Sequence, residues 1–167
     1  MRAVRIHLLR HAEAEEASET GRDADRRLTD AGRKRTREMA RALAALEPAL
    51  SAVLVSPLVR SRQTAEPVAE ACGFTGEVAE TRALLPGADP EEVLEELARL
   101  GAESCLLVGH MPHLGRLLGR LLAGRRTTLE VPMKKAALAL LETGRDPRTA
   151  AAELRLYLTP RALSKLR

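Results

Sequence analysis

The sequence predicts a three-layer α/β/α sandwich in which a mostly parallel sheet is covered by helices on both faces. Short aliphatic, β-prone runs at Val4 to Leu9, Ala52 to Val55 and Ser104 to Val108 alternate with longer segments whose apolar residues recur at helical spacing. The runs stop at polar residues or at Ser-Pro and Gly-His dipeptides, as strands do where they pass into loops and helices. No internal repeat, low-complexity tract or long linker breaks the pattern, so residues 1–167 read as one domain, a length that allows a substantial core.

Taken in order, Val4 to Leu9 reads as a strand and the acidic, aperiodic stretch Glu13 to Arg27 as a loop. Thr29 is a good N-cap for a helix carrying Met39, Leu43, Leu46 and Leu50 on one face, with Pro48 helping to end it. Ala52 to Val55 is a second strand, closed by Ser56-Pro57 because proline drives its predecessor from helical angles, and a helix from Arg60 to about Cys72 follows. A third helix starts at Pro90, aligns Val93, Leu94, Leu97 and Leu100, and is capped by Gly101. Ser104 to Val108 is the third strand, and Pro112 starts a helix bearing Leu114, Leu117, Leu118, Leu121 and Leu122. Ala136 to Leu141 and Glu153 to Leu158 read as a closing hairpin around Gly144-Arg145-Asp146-Pro147.

Composition narrows the function. Aromatic residues make up 1% of the chain, so the core must be Leu, Val and Ala, and the stacking platforms that single-stranded nucleic acid needs are missing; no nucleic-acid partner is expected. A net charge of +4 and a pI near 9.6 favour anionic ligands only weakly, because acidic and basic residues are interspersed. Cys72 and Cys105 have neither disulfide-framework nor zinc spacing, and no apolar stretch reaches membrane-spanning length, so a cytoplasmic protein with no membrane partner is expected.

The chemistry concentrates at three strand ends: Arg10-His11, Ser56-Pro57 followed by Arg60, and Gly109-His110. If those strands are neighbours, two imidazoles and two guanidiniums meet at the carboxyl edge, where ligands bind in such sheets. That set supplies what phosphoryl transfer requires, an in-line nucleophile and cationic donors around the equatorial oxygens. Guanidiniums suit the task because they remain charged and bind phosphate oxygens bidentately. No Walker-type loop and no carboxylate cluster with metal-ligand spacing is present, so neither metal nor other cofactor is expected.

Leu9-Arg10-His11-Ala12-Glu13, the stretch Ser56 to Ala65 and Val108-Gly109-His110 resemble the three signature segments of the histidine phosphatase superfamily, with its phosphoglycerate mutase-like fold. Leu28-Thr29-Asp30-Ala31-Gly32 resembles the superfamily's motif at the first helix, and Leu156-Tyr157-Leu158-Thr159-Pro160 resembles the ending of its small SixA-like phosphohistidine phosphatase branch. The resemblance implies that His11 is the nucleophile, that Arg10 and Arg60 clamp phosphate, and that His110 is a protonated partner neutralising a phosphoryl oxygen. The family pattern has Gly after the first histidine where this chain has Ala12, a small change that narrows backbone freedom.

To attack, His11 must be neutral, with its other ring nitrogen donating to a backbone carbonyl. Asp89 is the loop candidate for the acid protonating the leaving group, although the N-cap of the following helix suits it better. His7 reads as structural, His113 as open to a place on the rim, and Glu13, Asp25 and Arg26 as residues that could line the pocket mouth. The substrate expected is a phosphorylated protein carrying phosphohistidine; the alternatives are a small phosphate monoester or, in another class, a non-catalytic phosphate-binding module. A mutase fits less well, since retaining its intermediate calls for enclosing insertions that this short chain lacks.

Overall fold

The structure, a computed structural model, describes residues 3–149 and 151–166. In chain order the elements are β1 (Val4–Arg10), α1 (Asp30–Ala45), β2 (Ala52–Val55), α2 (Val59–Ala71), β3 (Val78–Glu80), α3 (Pro90–Leu100), β4 (Ser104–Gly109), α4 (His113–Ala123), β5 (Leu138–Thr143), β6 (Glu153–Leu158) and α5 (Pro160–Lys165). The strands form one sheet in the order β3-β2-β4-β1-β5-β6. The β2–β3, β2–β4 and β1–β4 pairs are parallel, whereas β5 runs antiparallel to both β1 and β6. The sheet is therefore mostly parallel, as the alternation predicts.

Alternate residues of the central strands feed two cores. On one face Ile6, Leu8, Leu54 and Leu107 pack with Val93, Leu94 and Leu97 of α3 and Leu114, Leu117, Leu118 and Leu121 of α4. On the other, Leu9, Val53, Val55, Leu106 and Val108 pack with Met39 and Leu43 of α1 and Ala65 and Val68 of α2. Each fully buried Leu or Val contributes about 1.5–3 kcal/mol relative to exposure, so these two faces hold the three layers together.

The element ends follow local rules with two corrections, one at a helix and one at a strand. Thr29 caps α1 by accepting from Gly32 N at 3.0 Å, and Gly101 ends α3 in the left-handed conformation at φ 61°. Helix α1 stops at Ala45, one turn before Leu50, because Pro48 excludes helical geometry from Glu47, which has φ 48°. The fifth strand starts at Leu138, not Ala136: Ala136 has φ 58°, and its N–H turns toward the carbonyl oxygens of Arg10 and His11 at 3.1 and 3.2 Å. Two elements escape the sequence reading, the three-residue β3 and α5 after Thr159. Among the described residues no helix is long and apolar enough to cross a membrane.

Candidate active site

The strand order puts the carboxyl ends of β2, β4 and β1 side by side. The register pairs Arg10 with Gly109 and Val55 with Val108, so Arg10-His11, Ser56 and His110 leave the sheet at one level. Backbone bonds extend the ladders past the strands: His11 N donates to Gly109 O, and Ser56 N to Val108 O, both at 3.0 Å. Arg60 reaches the same edge from the first turn of α2.

The His11 and His110 rings lie 4.9 Å apart between centroids, tilted by 53°. Both are buried, as is Arg60. His11 Nδ1 lies 2.7 Å from Ala12 O; a carbonyl can only accept, so Nδ1 carries the proton and Nε2 keeps the lone pair. Ala12 is fixed in turn by its N–H, which donates to Thr64 Oγ1 at 3.1 Å, while Thr64 donates to Arg60 O at 2.8 Å. Thr64 lies one helical turn after Arg60 and so joins the two arms of the site through one hydroxyl.

Burial pushes the pKa of His11 down to about 4, and the positive charges of Arg60, Arg10 and Lys135 add to that effect, against the hydrogen bond to Ala12. His11 is thus neutral at pH 7, as a nucleophile must be. His110 departs from the expectation of a protonated partner: burial, then His11 and Arg60, push it down to about 3, leaving it uncharged at neutral pH. Its Nε2 lies 2.7 Å from Ser56 Oγ and 3.1 Å from Ser61 Oγ.

The Arg60 guanidinium is held by the loop after β1. Nη1 donates to Asp23 O at 2.9 Å and Nη2 to Asp23 Oδ2 at 3.0 Å. Arg10 Nη1 donates to Met133 O at 2.6 Å. Two buried nitrogens of the cluster, Arg10 Nε and His110 Nδ1, have no hydrogen-bond partner among the described residues, and unmet polar atoms of this kind suit a polar ligand.

Arg10, His11, Arg60 and His110 therefore come together as the sequence predicts. Asp89 is occupied otherwise: its carboxylate caps α3, accepting from Glu91 N at 2.9 Å. His113 is fully buried instead of lying on a rim, and burial pushes it down to about 4 while Asp89 pulls it up. His7 is structural, with Nδ1 3.0 Å from Cys105 O. From the loop, Asp23 and not Asp25 reaches the cluster; Asp25 pairs with Arg22, and Arg26 with Asp23.

Several contributors carry no mark in the sequence, among them Asp23 beside Arg60 and Ser61 beside His110. Thr64 was visible within the Ser56 to Ala65 stretch, four residues after Arg60, but nothing marked its role. Lys135 and Met133 lie in an aperiodic segment whose approach to His11 depends on the turn at Ala136. Among the described residues no group of three or more His, Cys, Asp or Glu side chains could hold a metal ion.

Residues 6–85 match the model of the histidine phosphatase superfamily (branch 1). The chain is 32% identical over 157 residues to an uncharacterized protein of Picosynechococcus sp., covering 92% of this chain and 93% of that one. It is 29% identical over 144 residues to the phosphohistidine phosphatase SixA of Escherichia coli, covering 84% and 88%. Among solved structures, the protein histidine phosphatase SixA complexed with tungstate superposes with a TM-score of 0.83 at 26% identity, covering 98% of this chain and 100% of that one.

Proposed function

The chain belongs to the histidine phosphatase superfamily and is a phosphatase, and from that premise we propose that it hydrolyses phosphohistidine on a protein through a covalent intermediate on His11. The observation that carries the reading is the tautomer of His11. Its Nδ1 proton is committed to Ala12 O, which leaves Nε2 unprotonated in a buried, cationic cluster.

In the first step the Nε2 lone pair of His11 forms a bond to phosphorus as the bond between phosphorus and the substrate imidazole breaks. The electron pair of the broken bond stays on the departing ring nitrogen. In the second step water attacks phosphorus, the bond to His11 breaks with its electron pair returning to Nε2, and inorganic phosphate leaves, the protons of the attacking water staying on it or passing to solvent. Arg10 and Arg60 bind the equatorial oxygens, and Lys135 adds positive potential. The bond from Nδ1 to Ala12 O strengthens as His11 gains positive charge.

A phosphoryl dianion beside His110 opposes the lowering of its pKa and so favours proton uptake there. The leaving imidazole can be protonated before cleavage, and Asp89, engaged as a helix cap, receives no step in this scheme. The likeness to SixA supports a protein substrate.

The test is turnover with chelator present, comparing wild type and His11→Ala on an aryl phosphate and on a phosphohistidine-bearing protein. The expected result is chelator-resistant activity that favours phosphohistidine and vanishes in the variant. Activity on the aryl phosphate alone transfers the substrate to a small ester, and activity retained by His11→Ala overturns the mechanism.

A further inference from the structure

Next to Arg10, at the edge of the reaction centre, lies a hollow of about 760 Å³. Arg10 from the end of β1, Arg35 from α1, Lys134 and Lys135 before β5, and Arg161 from α5 line it, with Glu13 as the carboxylate among them. Lys134, Lys135 and Arg161 are exposed and make no ion pair with any described residue, although the surface elsewhere carries many Arg–carboxylate pairs. Arg35 is paired with Glu38 at 3.0 Å, but the other four cations have no ion-pair partner among the described residues and only Glu13 beside them in the hollow, which leaves a positive basin.

The basin and the candidate active site share Arg10. Arg10 lines it and also acts electrostatically on His11, and Lys135 does the same. A phosphoryl group on His11 would sit at one end of the basin, and whatever bears that phosphoryl group would lie over the rest.

We propose that this basin docks an acidic segment flanking the phosphohistidine of the protein substrate, its Asp and Glu side chains lying against Lys134 and Arg161. The inference rests on the phosphohistidine reading above and adds the character of the partner. Nucleic acid is the less suitable polyanion, because no aromatic side chain lines the basin to stack a base. A small phosphate ester would be held at Arg10 and Arg60 and would leave Lys134 and Arg161 unused.

Wild type and the double variant Lys134→Glu/Arg161→Glu are compared on an aryl phosphate and on a synthetic peptide with one phosphohistidine among aspartates and glutamates. Binding of the same peptide without its phosphate is followed by fluorescence anisotropy at low and raised salt. The expected result is a KM for the peptide raised roughly ten-fold with little change in kcat, since exposed charge pairs act on encounter and binding. Kinetics on the aryl phosphate stay unchanged, which also shows the variant folded. Salt weakens wild-type peptide binding and has little effect on the variant.

Equal peptide kinetics in the two proteins, or equal losses on both substrates, overturn the proposal, as does tighter wild-type binding of a short oligonucleotide than of the acidic peptide. If the aryl phosphate is turned over but phosphohistidine is not, the phosphohistidine reading fails. The anisotropy comparison with unphosphorylated peptide then still decides whether the basin takes acidic chain.

Discussion

The Asp23 carboxylate sits on the Arg60 guanidinium, 3.0 Å from Nη2, while the Asp23 carbonyl oxygen takes Nη1. An internal anion thus rests on a group proposed to clamp phosphate. Arg26 and Arg60 both hold the Asp23 carboxyl below the usual carboxylate range, so it is charged at neutral pH. A phosphoryl oxygen must share or displace it. Asp23→Asn removes the charge and keeps the shape, and inhibition by inorganic phosphate should strengthen roughly two- to five-fold, the range expected for an ion pair whose carboxylate is open to solvent. A phosphate inhibition constant unchanged in the variant would show that Asp23 orients Arg60 without competing for it.

Thr64 is buried and ties the Ala12 N–H to the Arg60 carbonyl. Thr64→Val keeps the volume but leaves the Ala12 N–H without an acceptor, a cost of about 1–3 kcal/mol. The Ala12 carbonyl orients His11, so kcat on an aryl phosphate should fall about ten-fold, and Thr64→Ser should restore most of it. Thermal unfolding measured alongside separates the two effects, and a stability loss with kcat intact would remove Thr64 from the positioning of His11.

Four histidines, at 7, 11, 110 and 113, are buried with lowered pKa values. In the unfolded chain each takes a proton near pH 6.5, whereas folded His11 and His113 resist until about 4 and His110 until about 3. The unfolded state therefore binds more protons between those limits. Stability is full above pH 6.5 and declines as pH falls toward 4, by on the order of several kcal/mol in total. The unfolding temperature should drop across that window, and inorganic phosphate, by favouring protonated His110, should offset part of the drop. An unfolding temperature constant from pH 7 to 4.5 would contradict the lowered values.

The legible parts were those set by short-range patterns. The buried strands, the Thr29 and Gly101 caps, and the four residues at the strand ends all lie where spacing and residue type place them. What stayed hidden depends on long-range closure. The three-residue β3 exists because it pairs with β2, and three residues carry too little periodicity to be read. The protonation of His110 depends first on its burial and then on its nearness to His11 and Arg60 across the sheet edge, which no local pattern contains. Lys135 reaches the site only because Ala136 adopts a left-handed turn, a conformation that its residue type does not announce.

Gly32 links the first helix to the catalytic edge. A Cβ at this position would overlap the Glu13 carbonyl oxygen, and Glu13 O also accepts from Thr29 N at 3.0 Å. The glycine thus lets the start of α1 close against the loop that leaves His11-Ala12. Ala favours a helix interior over Gly by about 1 kcal/mol, so propensity alone predicts that Gly32→Ala stabilises. Backbone cannot yield as a flexible side chain does, and the overlap should win, for a net loss of about 2 kcal/mol or more in chemical denaturation. Because the loop that must shift begins two residues after His11, kcat on an aryl phosphate should fall as well. A variant more stable than wild type would mean that the loop relaxes freely and that the close approach does not hold the site in place.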